Sequence, residues 1–179
     1  MPSQPLSVKL LFALLEESME RAREALGALH ALVPLEPWVF EDGGPAGEIS
    51  KDTVHGTRDL VSTAAGLQVP AWPALAYPLS GEIQRIGRSW KSDLIIDQPT
   101  VSGHHAEIAR LGGVFRLSDP GSRNGTLVNG KLLHLNSQTR LDDGDVVVFG
   151  EAQTVFGGLD YLSKLLRRMR AAKRTTRRT

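Results

Sequence analysis

The stretch IGRSWKSDLIIDQPTVSGHHAEI, residues 86–108, decides how this chain is read, together with FRLSDPGSRNGTLVNG, residues 115–130, and LDDGDVVVFG, residues 141–150. Short apolar runs alternate here with turn signals. The runs are Asp93–Asp97, His105–Arg110, Val114–Ser118, Thr126–Val128, Asp145–Phe149 and Gln153–Phe156, all too short for helices and rich in Ile, Val, Leu and Phe. The turn signals are Ser80-Gly81, Gly112-Gly113, Asp119-Pro120-Gly121, Asn124-Gly125, Asn129-Gly130, Asp142-Asp143-Gly144 and Gly157-Gly158. Several strands at this spacing, with no helical pattern between them, predict an all-β sandwich or barrel from about Trp72 to Gly158.

The loops of that region hold polar groups suited to an anion. Gly87-Arg88 follows the strand expected around Ile83–Ile86, Val101-Ser102-Gly103-His104-His105 precedes a strand, and Ser122-Arg123-Asn124-Gly125-Thr126 follows a Pro-Gly turn. A guanidinium presents a planar fork of N–H donors that chelates two phosphate oxygens. A hydroxyl adds a donor, and an Asn amide both donates and accepts, which suits the main chain of an extended peptide. Glycines let the backbone approach closely and accept positive φ.

These strings also carry a resemblance. A Gly-Arg, then Ser-x-x-His with its Ser fourteen residues after that Arg, then Asn-Gly with its Asn twenty-two residues after the Ser, resembles the forkhead-associated (FHA) domain over about residues 72–158. The resemblance implies a β-sandwich of about eleven strands whose loops at one end bind phosphothreonine peptides. Carried over by position, it implies that Arg88 and Ser102 grip the phosphate and that Asn124 hydrogen-bonds the peptide main chain. Arg123 lines the pocket for the threonine methyl, and Gly87, His105 and Gly125 support the binding loops. The chain departs from the pattern at Gly103, where the family often offers a donor such as Arg or Asn. Losing a charge-assisted hydrogen bond of about 1.5–3 kcal/mol weakens binding roughly tenfold or more, unless the N–H of Gly103 substitutes.

Plainer roles stand beside these. Arg88 is also readable as an ordinary surface arginine, Ser102 as a turn cap, and Asn124-Gly125 as a hairpin turn. The His104-His105 pair raises a metal site, but adjacent residues on a strand face opposite ways. No Asp or Cys companion is evident, so no metal and no cofactor is expected, and His104 is expected in solvent.

Outward from the β region, the N-terminal residues read as helix. Leu15, Met19, Ala22, Leu26, Leu29 and Val33 step by four, three, four, three and four, giving one apolar face between Leu6 and Leu32, with Pro34 marking the end. Two readings remain open: a helix packed on its own body, or one that pairs with itself or a partner. A short helix is expected over about Ser50–Ala65. After the β region, Leu162, Leu165, Leu166 and Met169 define a second amphipathic helix that runs into a basic tail. The expected organisation is therefore a helical N-terminal extension (1–71), the β domain (72–158) and a basic helix with its tail (159–179).

Charge separates the same regions. The 179 residues carry a net +1, yet residues 164–179 hold eight basic side chains and no acid, leaving 13 basic against 20 acidic in residues 1–163. No apolar run approaches the ~20 residues a membrane span needs, and Leu10–Leu15 meets Glu16 and Glu17 at once, so a soluble cytoplasmic protein is expected. The chain has no cysteine, which excludes disulfides, thiolate zinc sites and a cysteine nucleophile. Abundant Leu, Ala, Arg and Gly give it a bacterial look.

No P-loop, H-E-x-x-H, G-x-S-x-G or kinase signature is present, so no catalytic residue is assigned and the protein is not expected to be an enzyme. The leading expectation is a non-catalytic, phosphothreonine-dependent adaptor, with a phosphorylated protein and a Ser/Thr kinase as partners. The alternatives are nucleic-acid or anionic-surface binding through the basic tail, and phosphate-independent assembly through the N-terminal helix. Self-regulation is a further one, since Thr175, Thr176 and Thr179 lie among arginines and Thr57 has Leu60 three residues later.

Overall fold

The computed structural model describes residues 5–35, 75–165 and 167. Twelve strands and two helices run in the order β1 (Leu6–Ser7), α1 (Val8–Glu17), α2 (Met19–Leu26), β2 (His30–Leu35), β3 (Leu75–Pro78), β4 (Ile83–Gly87), β5 (Leu94–Ile95), β6 (Ala106–Leu111), β7 (Val114–Ser118), β8 (Thr126–Val128), β9 (Lys131–Leu132), β10 (Gln138–Leu141), β11 (Val146–Phe149) and β12 (Ala152–Gly158). Residues 159–165 are helical again. The strands form a seven-stranded sheet, β1-β3-β2-β12-β11-β8-β9, and a five-stranded sheet, β10-β7-β6-β4-β5.

Turn chemistry sets the hairpins. Gly112 and Gly113 (φ 56° and 81°) join β6 to β7 in a two-residue turn that pairs Leu111 with Val114. Asn129 and Gly130 (φ 49° and 76°) do the same between β8 and β9. Positive φ at both central residues matches the right-handed twist of the flanking strands. In β7 the side chains alternate, with Phe115 and Leu117 inward and Arg116 in solvent, so one face goes to the core.

Two apolar layers result. Between the sheets lie Leu32, Ile86, Ile108, Phe115, Leu117, Val147, Phe149 and Phe156. On the outer face of the large sheet lie Val8, Leu11, Phe12 and Leu15 of α1 and Ala22 and Leu26 of α2, with Leu159, Leu162 and Leu165 of the last helical residues. Each fully buried side chain of this size contributes about 1.5–3 kcal/mol, so the helical layer is part of the folded body.

The expected single helix from Leu6 to Leu32 is corrected. Ser18 is extended and breaks it, Gly27 (φ 66°) ends α2 with its N–H on the Arg23 carbonyl, and His30–Leu35 is a strand. This strand lies between β3 and β12, paired with β12 over six residues. Of the predicted stripe, Leu15, Ala22, Leu26 and Val33 are buried, while Met19 and Leu29 are exposed. Burial of α1 and α2 against the sheet is the packing on its own body that one of the two readings describes. In the C-terminal helical residues, Leu162 and Leu165 are buried as that pattern predicts. The helix expected over Ser50–Ala65, the start of the β region at Trp72, Leu166, Met169 and the basic tail lie outside the described residues.

Candidate functional site

The loops after β4, before β6 and between β7 and β8 meet at one end of the sandwich. β4 ends at Gly87, where an added Cβ would collide with the Gly103 carbonyl oxygen. That close approach requires glycine, and it lets the two loops zip together. Arg88 donates its backbone N–H to the Ser102 carbonyl (2.9 Å), and Ser89 donates to the Gly103 carbonyl (3.1 Å). The Arg88 Nε also donates to the Val101 carbonyl (3.3 Å), which anchors a side chain that is otherwise exposed.

Ser102 links to the third loop. Its Oγ accepts the Arg123 backbone N–H at 2.9 Å, so its own hydrogen is free to donate. Asn124 donates from Nδ2 to the Thr100 carbonyl at 2.7 Å, and the Thr100 Oγ1 accepts the Glu151 N–H at 3.1 Å. Asn124 therefore braces two loops across the site. The hairpin role that Asn-Gly suggests belongs to Asn129-Gly130: only Gly125 of the 124–125 pair has positive φ (79°).

Beneath these exposed groups lies a buried polar frame. His105 is fully buried. Its Nδ1 accepts the Ser102 N–H (2.9 Å) and therefore carries no proton, so Nε2–H donates to the Gly125 carbonyl (3.1 Å). Burial lowers the imidazole pKa; the Gly125 hydrogen bond and the Asp119 charge oppose this without overcoming it. The ring stays neutral, and it stands edge-on to Phe149 at 5.8 Å. His104, the next residue back, is exposed as expected and lies 3.1 Å from Glu107, but both histidines precede β6 in the loop, so the loop and not strand alternation turns them apart.

Asp119 completes the frame. Its Oδ1 accepts the N–H groups of Gly121 (2.9 Å) and Ser122 (2.7 Å), and its Oδ2 accepts the hydroxyls of Ser122 (2.6 Å) and Thr126 (2.7 Å). Burial pushes this carboxyl up, but the hydrogen bonds from Ser122, Gly121 and Thr126 outweigh it and hold Asp119 below the usual carboxylate value. The Ser122 Oγ in turn accepts the Gly125 N–H (2.9 Å).

Arg88, Gly103, Arg123 and Asn124 are exposed and Ser102 half-buried, all at this one end, while Gly87 and His105 are buried and Gly125 half-buried beneath them. All eight residues singled out from the sequence thus come together. Among the described residues neither Arg88 nor Arg123 pairs with a carboxylate. Two unpaired guanidinium groups, a hydroxyl and an amide can receive a dianion beside an extended main chain. Asp119 and Thr100 are framing residues that the sequence pattern did not single out, and Ser122 and Thr126, which it placed in a polar loop without a role, belong to the frame as well. The available signal was Asp119-Pro-Gly-Ser, a turn in which an Asp accepts from the backbone two or three residues on.

The FHA domain family model matches residues 84–150. The glycogen accumulation regulator GarA of Mycolicibacterium smegmatis is 35% identical over 114 residues, covering 63% of this chain and 70% of that protein. The oxoglutarate dehydrogenase inhibitor of Corynebacterium jeikeium is 37% identical over 103 residues, covering 56% and 69%. Among solved structures, the FhaA FHA domain complexed with the intracellular domain of Rv3910 is 32% identical, with a TM-score of 0.42 and coverage of 45% of this chain and 86% of that one. Among the described residues no helix is long and apolar enough to cross a membrane.

Proposed function

The chain belongs to the FHA family, and on that premise we propose that it is a phosphothreonine-dependent, non-catalytic adaptor of Ser/Thr-kinase signalling that works in the cytoplasm. The observation that carries this reading is the convergence of three distant loops on one end of the sandwich, where Arg88, Arg123 and Asn124 stand exposed and Ser102 half-buried over a buried frame of His105 and Asp119.

Arg88 and the Ser102 hydroxyl receive the phosphate oxygens, by charge-assisted hydrogen bonds that an unmodified threonine cannot make. Asn124, held by Thr100, reads the peptide main chain. Arg123 lines the recess for the threonine methyl, which separates threonine from serine. Gly87 and Gly125 set the loop turns, and Gly103 brings only its backbone. The two relatives, a regulator of glycogen accumulation and an inhibitor of oxoglutarate dehydrogenase, fit a module that acts by binding. A Ser/Thr kinase supplies the phosphorylated partner.

Isothermal titration of the full chain with a phosphothreonine peptide tests this. Arg88→Ala removes at least two charge-assisted hydrogen bonds of about 1.5–3 kcal/mol each, so affinity falls at least a hundredfold, with unchanged circular dichroism. Equal binding by wild type and variant would overturn the assignment.

A further inference from the structure

Trp90 is 81% exposed, and it lies two residues after Arg88 in the loop from β4 to β5. A lone exposed aromatic side chain is ordinary, but one on a backbone held in place offers a ligand a rigid apolar face. This backbone is held: the Gly103 carbonyl accepts both the Ser89 N–H and the Ser92 hydroxyl (3.1 Å each), and the Lys91 N–H donates to the Ser89 Oγ (3.2 Å). The Lys91 ammonium lies 5.5 Å from the centre of the Trp90 ring, within cation–π reach.

Against this loop is a cleft of about 440 Å³, lined by Arg85, Lys91, His104, Glu107 and the Gly103 backbone among others. Its one acid is already partnered, since Glu107 lies 3.1 Å from His104 and 3.8 Å from Arg85. Among the described residues Lys91 has no carboxylate partner. The Asp93 carboxylate, which accepts the Arg85 backbone N–H at 2.8 Å, stands beside the loop, while in the lining of the cleft Arg85 and Lys91 outweigh Glu107, and Arg88 next to the cleft adds to the field. Gly103 forms its border with the phosphate cradle. The position of a Cβ there has only the Ser89 Cβ nearby, at 3.8 Å, so nothing walls one site from the other.

The geometry points to a second subsite: an acidic side chain flanking the phosphothreonine enters this cleft, its carboxylate facing Lys91 and Arg85 and its stem lying on the Trp90 indole. This rests on the phosphothreonine reading of the adjoining cradle.

Titration calorimetry of the full chain with two phosphothreonine peptides, glutamate-flanked and lysine-flanked, tests it. Wild type prefers the glutamate peptide about tenfold. Lys91→Glu removes or reverses that preference, and Trp90→Ala weakens the glutamate peptide about fivefold. Lys164→Glu, the same charge change on the helical layer across the molecule, leaves the preference intact. Equal binding of both peptides by wild type, a preference that survives Lys91→Glu, or its equal loss in Lys164→Glu would overturn the subsite. If those results come with Arg88→Ala still abolishing binding, the cradle stands and only the subsite falls. If wild type binds neither peptide, the phosphothreonine reading itself fails.

Discussion

Replacing Asp119 with Asn keeps the shape of a side chain only 5% exposed and removes its charge. The carboxylate accepts four hydrogen bonds, from Gly121, Ser122 twice and Thr126. With its oxygen on the two N–H groups, the amide turns its NH2 to the two hydroxyls, which can rotate to accept from it. The bonds are kept but all four lose the charge that makes such bonds roughly twice as strong as neutral ones. The net cost is about 3 kcal/mol. For a chain of this size that lowers Tm by roughly 6–12 °C. Urea unfolding at neutral pH measures the loss. Its pH dependence supplies a second check: the folded pKa of Asp119 lies below the ordinary ~3.9, so the stabilisation is present above that value and disappears as pH falls through the folded one. The gap between wild type and Asp119→Asn should close in acid. A variant within about 1 kcal/mol of wild type at pH 7, or a gap as wide in strong acid, would refute the frame as an energetic unit.

His105→Ala leaves the Ser102 N–H and the Gly125 carbonyl unpaired and opens a cavity, costing about 3 kcal/mol by urea unfolding. The imidazole pKa is lowered by burial, so its contribution is present above the ordinary ~6.5 and lost as pH falls through the folded value; wild-type stability should decline below about pH 6.5 and the decline should be shallower in the variant, the remainder belonging to His30, whose pKa burial also lowers. The Cβ of Gly103→Arg meets only the Ser89 Cβ, in ordinary contact at 3.8 Å, and the side chain restores a donor, so phosphothreonine peptides should bind about tenfold more tightly in calorimetry; unchanged or weaker affinity would reject that role for position 103. Removing residues 1–35 strips β2 from between β3 and β12 and exposes two unpaired edges, so residues 36–179 alone should show no cooperative melt by circular dichroism and should aggregate in light scattering.

The strands between Ile83 and Phe156 were legible because one face meets solvent, as at Phe115-Arg116-Leu117, and because Gly112-Gly113 and Asn129-Gly130 mark their turns. Strand β2 was not. Ala31 and Val33 face the helical layer while Leu32 faces the inter-sheet core, so both faces are apolar and the alternation that marks a strand is erased. Its residues then extended a helical stripe whose real end was Gly27. At the site, the placing of Arg88, Ser102 and Asn124 at one end of the sandwich was legible through a spacing that resembles the FHA pattern. Asp119 was not, because its four donors become neighbours only once the turn folds, and nothing in a linear string distinguishes an acid that accepts them from one in solvent.

The polar frame and the side chains above it divide the labour between different atoms. His105 and Asp119 hold backbone and hydroxyl groups of the loops, whereas Arg88, Gly103 and Arg123 meet the outside. Exposed positions of that kind can be exchanged without loosening the mount beneath them, as the bare Gly103 already illustrates. A new partner preference is then reachable by single surface substitutions, each at little cost in folding.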